Sequence, residues 1–387
     1  MIQRMNLLIA LLIAITPLSV AAQIAEPAKA NAADAAAAPT PTPKEASEPE
    51  ADDPQKLREL IDQLNQGNLQ EAFRLLKSDY INREDLDYLE INRSALQGML
   101  DRLDFGAMLL TEKSRSARNS PFKFYEAKIN ESVAYLRFGK FNKAGVKALD
   151  GALTKFTKDK KLETLIMDLR SPQAQADFAI AAEILSRFRP ANELLFKSRR
   201  PGNERATLFV SKPNDANWRR EIILLVDHET GNVGEMIAAV LKRENKCLII
   251  GERTPGLTVE YRDVPIGDDR ILRYAIADVL LEDDSSLFQK GIEPDIITET
   301  PEKTKHAIYK AIDGGKPVAD FLYLKMRPRL NEAALVAGTD PELDYYLLRS
   351  ARKPTPWDKP SLEDRALRQA VDLLNATSFL KEDDKKK

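Results

Sequence analysis

Cysteine occurs once and histidine twice in these 387 residues, and each scarcity removes a class of chemistry. The lone Cys247 has no partner for an internal disulfide. It lies in Lys246-Cys247-Leu248-Ile249-Ile250, a run that reads as a buried strand, where a thiol serves as a small core residue rather than a nucleophile. His228 and His306 would need carboxylates arranged around them to make a conventional zinc site, and no such spacing appears in the sequence. Neither a metal nor a bound cofactor is expected. An excess of one charge sign is missing too: Lys+Arg total 58 against 60 Asp+Glu, a net charge of -2, which supplies no basic field for nucleic acid.

Long apolar runs are equally scarce. One stretch, Leu7 to Val20, follows Arg4 and ends in Ala21 and Ala22, the pattern of a secretory signal. It is short for a hydrocarbon core of ~30 Å, and no later run approaches that length. Residues 1–22 are therefore expected to be a cleaved signal peptide, leaving an exported protein, periplasmic or extracellular, with no integral membrane span; the competing reading is an uncleaved N-terminal anchor. From 23 to 54 the composition falls to Ala, Pro, Thr and Glu, as in Ala35-Ala36-Ala37-Ala38-Pro39-Thr40-Pro41-Thr42-Pro43. Such a segment buries too little apolar surface to order itself and reads as a disordered linker.

What is present begins beyond it. Leu57, Leu60, Ile61 and Leu64, then Leu69, Ala72, Leu75 and Leu76 after a break at Gly67, follow a helical period, and Ile91 to Asp104 repeats it. Residues 55–124 are expected as a helical N-terminal region. From 132 short apolar runs alternate with amphipathic helices: Val133 to Phe138, a helix over 142–157, Thr164 to Leu169, a helix carrying Ile180, Ile184, Leu185 and Phe188, strands at 206–210 and 221–226, and a helix with Val233, Met236, Ile237, Val240 and Leu241. Strands return at 247–250, 258–264 and 271–280. Continuous apolar strands separated by helices predict an α/β fold with a largely parallel sheet covered on both faces. Residues 301–387 read as a helical extension with Leu367, Ala370, Val371 and Leu374 on one face and a Lys-rich tail.

Three segments together resemble the S41 family of tail-specific (C-terminal processing) serine proteases. They are Ala95-Leu96-Gln97-Gly98-Met99-Leu100-Asp101-Arg102-Leu103-Asp104; then Val133-Ala134-Tyr135-Leu136-Arg137-Phe138 with Leu165-Ile166-Met167-Asp168-Leu169-Arg170; then Leu224 to Asp227, Gly251-Glu252-Arg253-Thr254-Pro255-Gly256 and Gly291-Ile292-Glu293-Pro294-Asp295-Ile296. The resemblance implies a ClpP/crotonase-like core of β-β-α units over 125–300. It also implies a PDZ domain between the first two segments, where only Glu112 to Phe124 stand, so the usual means of adding a substrate tail to a sheet edge is absent.

The family's chemistry needs a serine nucleophile at a strand-to-helix junction, a neutral lysine as base, a glutamine that orients it, and backbone N–H groups at an oxyanion site. By that resemblance the nucleophile position is Asn232, the base position Leu257 and the orienting position Tyr261, while Ala174, Gln175 and Val233 hold the oxyanion positions. An amide is no oxygen nucleophile and leucine accepts no proton, so no catalytic residue is expected. Thr230 and Thr258 are the substitute hydroxyls on offer, with His228, Lys242 or Glu235 as a base, but nothing in the sequence sets a base within reach of either. Glu235 suits a first-turn carboxylate, and Arg170, Glu252 and Arg253 an ion-pair cluster. The leading expectation is an inactive homologue that binds polypeptide segments or an envelope protease, or pairs with itself as a homo-oligomer. The rivals are an active serine-type peptidase with a rearranged site and, more remotely, a crotonase-like acyl-group enzyme.

Overall fold

Alternate side chains of a strand point to opposite faces, so a strand that is apolar at every position needs cover on both sides. The chain meets that need in an unexpected way. The computed structural model describes residues 54–117, 120–173, 177–203, 205–243, 247–323, 332–353 and 362–386. The signal and linker expectations for residues 1–53 lie outside them. Two compact units divide at Met99 and Leu100. The first contains α1 (Pro54–Asp62) and α2 (Gln66–Asp79), the latter capped by the Asn65 side chain, which accepts from the Asn68 N–H at 3.0 Å. The helix α3 (Tyr88–Leu103) runs across the division. Neither α2 nor α3 has a buried residue.

The second unit continues with β1 (Ala107–Leu110), α4 (Glu112–Ala117), β2 (Tyr125–Lys128), β3 (Val133–Arg137), α5 (Lys143–Lys158), β4 (Thr164–Asp168) and α6 (Phe178–Leu185). Next come β5 (Leu194–Arg199), β6 (Thr207–Val210), β7 (Glu221–Val226), α7 (Val233–Arg243), β8 (Cys247–Gly251), β9 (Val259–Pro265), β10 (Ile271–Leu280) and β11 (Ile296–Ile297). The C-terminal helices are α8 (Glu302–Asp313), α9 (Glu332–Val336), α10 (Pro341–Ser350) and α11 (Arg365–Lys386). No helix among the described residues is long and apolar enough to cross a membrane.

A six-stranded sheet in the order β11-β8-β7-β4-β3-β2 is parallel except for the β2–β3 pair. Its two faces partition cleanly. Ala134, Leu136, Leu165, Met167, Leu224 and Val226 join one core with α5, α6 and α7, whereas Val133, Tyr135, Ile166, Ile223, Leu225 and Ile250 join another. That second core is closed by Ile308, Tyr309 and Ile312 of α8 and by Ala366, Leu367, Ala370 and Val371 of α11. Residues 301–387 are thus not an appendage: α8 and α11 cover half of the sheet. The α/β fold of β-β-α units is as expected, and two corrections attach to it. The region 55–124 is not wholly helical, because β1 pairs with β10, and β1, β10, β5 and β6, with β9 beside β10, form a separate antiparallel sheet. Cys247 is only partly buried, though burial still pushes its thiol up to about 12 and leaves it inert.

Candidate functional site

At the C-terminal end of β7 the chain turns through Asp227–Asn232 and enters α7, the junction where the family places its nucleophile. Asn232 closes the turn at φ 47°, a left-handed conformation that asparagine tolerates better than most residues. It is 5% exposed; its N–H donates to Glu235 Oε2 at 3.1 Å, and its Oδ1 is buried with no hydrogen-bond partner among the described residues. Thr230 is committed elsewhere, since its hydroxyl donates to the Leu169 carbonyl at 3.2 Å and accepts from the Asp227 N–H at 3.0 Å.

Glu235 does more than answer its own helix. Fully buried, its carboxylate also accepts from Thr254 Oγ1 (2.6 Å), Gly256 N–H (2.5 Å) and Leu257 N–H (2.6 Å), so one side chain ties the first turn of α7 to the loop that would carry the base. Burial pushes its pKa up, and these donors oppose the rise. Gly256 permits the close approach: φ is 79°, and a Cβ there would lie 2.6 Å from the Leu287 carbonyl. Leu257 lays its side chain over Gly231, whose absent Cβ would stand 3.0 Å from Leu257 Cδ1. Tyr261 turns away, its hydroxyl donating to the Phe105 carbonyl at 2.8 Å. Val233 packs into the first core. Ala174 and Gln175 lie outside the described residues. Just before them, the Gln173 amide donates to the carbonyls of Gly139 and Ser171 at 3.0 and 3.1 Å. Ser171 Oγ and Thr258 Oγ1 share the condition of Asn232 Oδ1, being buried and unpartnered among the described residues.

Beside this turn stands a charged network that sequence reasoning missed. Arg170 is buried and bonds Asp168 (2.9 and 2.7 Å) and Asp364 (3.0 and 2.7 Å), while Asp168 also accepts from the hydroxyls of Tyr135 (2.8 Å) and Tyr309 (2.7 Å). Burial works against the Asp168 carboxylate, but the Arg170 charge and these donors outweigh it and lower its pKa to about 2. Lys305 of α8, fully buried, donates to the Arg170 carbonyl at 3.0 Å and pairs with Asp227 and, at 2.6 Å, Glu229. The expected cluster of Arg170, Glu252 and Arg253 does not form, because Arg253 pairs with Glu293 and Glu252 with His228. Lys242 is held by Asp295 and the Glu293 carbonyl.

Carboxylates do surround the histidines, contrary to the reading from spacing alone. His306 Nε2 lies 2.6 Å from Glu229, and His228 lies 3.3 Å from Glu252 and 3.5 Å from Glu302. Ligand atoms of Glu229, Glu302 and His306 come within 4.8 Å of one another, but the ammonium of Lys305 already supplies Glu229 with a counter-charge. The groups meet only because α8, far along the chain, folds over the ends of β4 and β7.

Residues 132–298 match the model of peptidase family S41. The resemblance to the tail-specific proteases is thereby shown for the core, and the motifs that carry it occupy the strands and turns just described. A carboxy-terminal-processing protease of Bartonella bacilliformis is 26% identical over 231 residues, which cover 58% of this chain and 52% of that protein. A probable CtpA-like serine protease of Staphylococcus aureus is 26% identical over 184 residues, covering 46% and 36%. The chain therefore spans about half or less of these relatives' length. Among solved structures, the photosystem II D1 C-terminal processing protease overlaps 51% of this chain and 53% of its own at 19% identity and a TM-score of 0.40.

Proposed function

We propose that this protein is a catalytically inactive homologue of the S41 tail-specific proteases that works in the cell envelope by binding polypeptide or by scaffolding. One observation carries the reading: at the strand-to-helix junction an asparagine stands in the turn, and the loop facing it presents a leucine, with Glu235 occupied in bonding both backbones. The hydroxyl that does meet a carboxylate is tied into the turn: Thr254 Oγ1 donates to Glu235 at 2.6 Å and accepts from the Ile292 N–H at 2.9 Å. The Thr230 hydroxyl is held by the Leu169 carbonyl and the Asp227 N–H, with the Asp227 carboxylate only at 3.4 Å, and the oxygens of Ser171 and Thr258 are buried without a partner among the described residues. Loss of a catalytic dyad or triad costs factors on the order of 10⁶ in rate, so acyl transfer by the family's route is not available to this chain. Export rests on the N-terminal pattern and on the resemblance to processing proteases.

The test pairs two assays on the purified protein. Incubation with a flexible-tailed unfolded substrate and with a serine-directed phosphonate should give neither cleavage nor labelling. Pull-down and light scattering should detect a bound unfolded polypeptide, an envelope protease or a second copy. Cleavage abolished by Thr258→Val or Ser171→Ala would overturn the inactivity and install the rearranged peptidase in its place; absence of every binding partner would remove the scaffold.

A further inference from the structure

By the family resemblance only Glu112 to Phe124 stand where a PDZ module would take up a peptide as an added strand, yet the molecule keeps an open strand edge with a groove beside it. In the antiparallel sheet β6 pairs only with β5, so its outer backbone groups face no strand among the described residues. Phe209 turns inward and stacks on Phe196 at 4.6 Å between ring centroids. Its neighbours Leu208 and Val210 point to the other face, 60% and 40% exposed. On the inward face, between Phe209 and Ala179 and Ala182 of α6, lies a groove of about 240 Å³ that Leu208 and Val210 rim from the strand. Sites for drug-sized ligands run to roughly 300–1,000 Å³, so this one suits a pair of aliphatic side chains rather than a cofactor.

Its floor is built rather than incidental. Ser186 Oγ donates to the Ala182 carbonyl at 2.7 Å and accepts from the Lys212 N–H at 2.9 Å, locking the end of α6 to the chain leaving β6. Charge frames the strand. Arg205 precedes it and Lys212 follows it, both exposed and neither in an ion pair among the described residues, while Glu183 lines the groove from α6. Cations at an edge are a common guard against unwanted pairing. That role requires neither two exposed aliphatic side chains on the outer face nor an apolar groove on the inner one.

We infer that the β6 edge and the α6 groove dock an extended polypeptide segment as an added strand, one with aliphatic side chains at alternate positions and carboxylates flanking them. Backbone hydrogen bonds to β6 supply affinity that is indifferent to sequence, and the groove accepts every second side chain. Arg205 and Lys212 select acidic flanks, and Glu183 excludes an acid from the middle. The inference rests on the reading that the protein holds polypeptide, and places that hold on the β6 edge.

Fluorescence anisotropy with the full chain tests it, using a labelled peptide capped at both termini, of alternating valine and threonine between aspartates. Wild type should bind it better than the same peptide with lysine flanks, and methylating the amides of alternate residues should abolish binding. Leu208→Glu should weaken binding about tenfold or more, a loss of about 1.4 kcal/mol or more, with the circular dichroism spectrum unchanged. Arg205→Glu with Lys212→Glu should reverse the preference for flanks. Equal binding by wild type and both variants would overturn the β6 site while leaving polypeptide binding intact, and failure to bind any polypeptide would overturn both. A dimer broken by Leu208→Glu, with no peptide bound, would show a second copy on the edge and overturn the docking role.

Discussion

At the scale of single residues, the most consequential side chain is not one of the substituted family positions but Glu235. Its carboxylate receives four donors from two stretches of chain: Asn232 N–H from the turn, and Thr254 Oγ1, Gly256 N–H and Leu257 N–H from the loop after β8. Glu235→Ala leaves all four without an acceptor in a site water does not reach, and a buried unmet donor costs about 1–3 kcal/mol. A loss of about 3 kcal/mol is expected in urea unfolding after partial relaxation, with Glu235→Gln falling between alanine and wild type. A change under about 0.5 kcal/mol for alanine would mean that the turn is held by other contacts. Half of this role was legible in the sequence, since an acid three residues after a turn marks a helix start. The other half was not, because the 254–257 loop reaches Glu235 only through the parallel pairing of β7 with β8. Asn232 and Leu257 themselves were readable by aligning motifs, whereas the direction of Tyr261 toward Phe105 depends on the antiparallel sheet, which no motif reports.

Among elements, α8 is held by charge as well as by its apolar face, and the charged groups around it titrate in opposite senses. Asp168 has its pKa lowered from 3.8 to about 2, so it stabilises the fold above its unfolded value, and that contribution disappears as pH falls from 3.8 through about 2. The shift corresponds to stability on the order of 2 kcal/mol, lost together with the grip of Tyr309 on β4. His228 behaves in reverse. Partial burial disfavours its charge, but the Asp227 carboxylate, Glu252 and Glu302 raise its pKa above 6.5, so its contribution is complete below 6.5 and fades as pH climbs through the raised value. Being half-exposed, it is worth less than about 1 kcal/mol. Urea midpoints measured against pH should show a decline on the acid side and a shallow one as pH rises past 6.5, and His228→Gln should flatten only the second. A His228→Gln profile identical to wild type above pH 6.5 would show that these carboxylates do not bind the ring in solution. The strands around these groups were legible almost residue by residue, β7 and β10 to their observed ends, because apolar periodicity marks buried elements, whereas α8 was readable only as part of a helical 301–387. β1, β2 and β5 were not legible: β1 is apolar but only four residues long, and β2 and β5 end in polar residues that break the pattern.

For the molecule as a whole, the question is which parts of the chain make one cooperative unit. Reading from composition put a boundary near 300, where alternating strands give way to helices. The structure rejects that boundary on energetic grounds. Without α8 and α11, the faces of Val133, Tyr135, Ile166, Ile223, Leu225 and Ile250 would meet water, and burying each such side chain is worth about 1.5–3 kcal/mol. The polar loss is as severe, since Asp227 would lose Lys305 and Arg170 would lose Asp364, and breaking a buried pair costs about 3–5 kcal/mol. Either sum exceeds the ~5–15 kcal/mol by which a domain is folded, or comes close to it. A chain ended after Thr300 is therefore expected to lack a cooperative urea transition and to bind hydrophobic dyes, and supplying residues 301–387 in trans should restore the transition and suppress the dye binding at least in part. If the truncated chain melted sharply within about 2 kcal/mol of the full protein, the second face would have to be stable without its helices, and α8 and α11 would revert to the attachment that composition alone suggests.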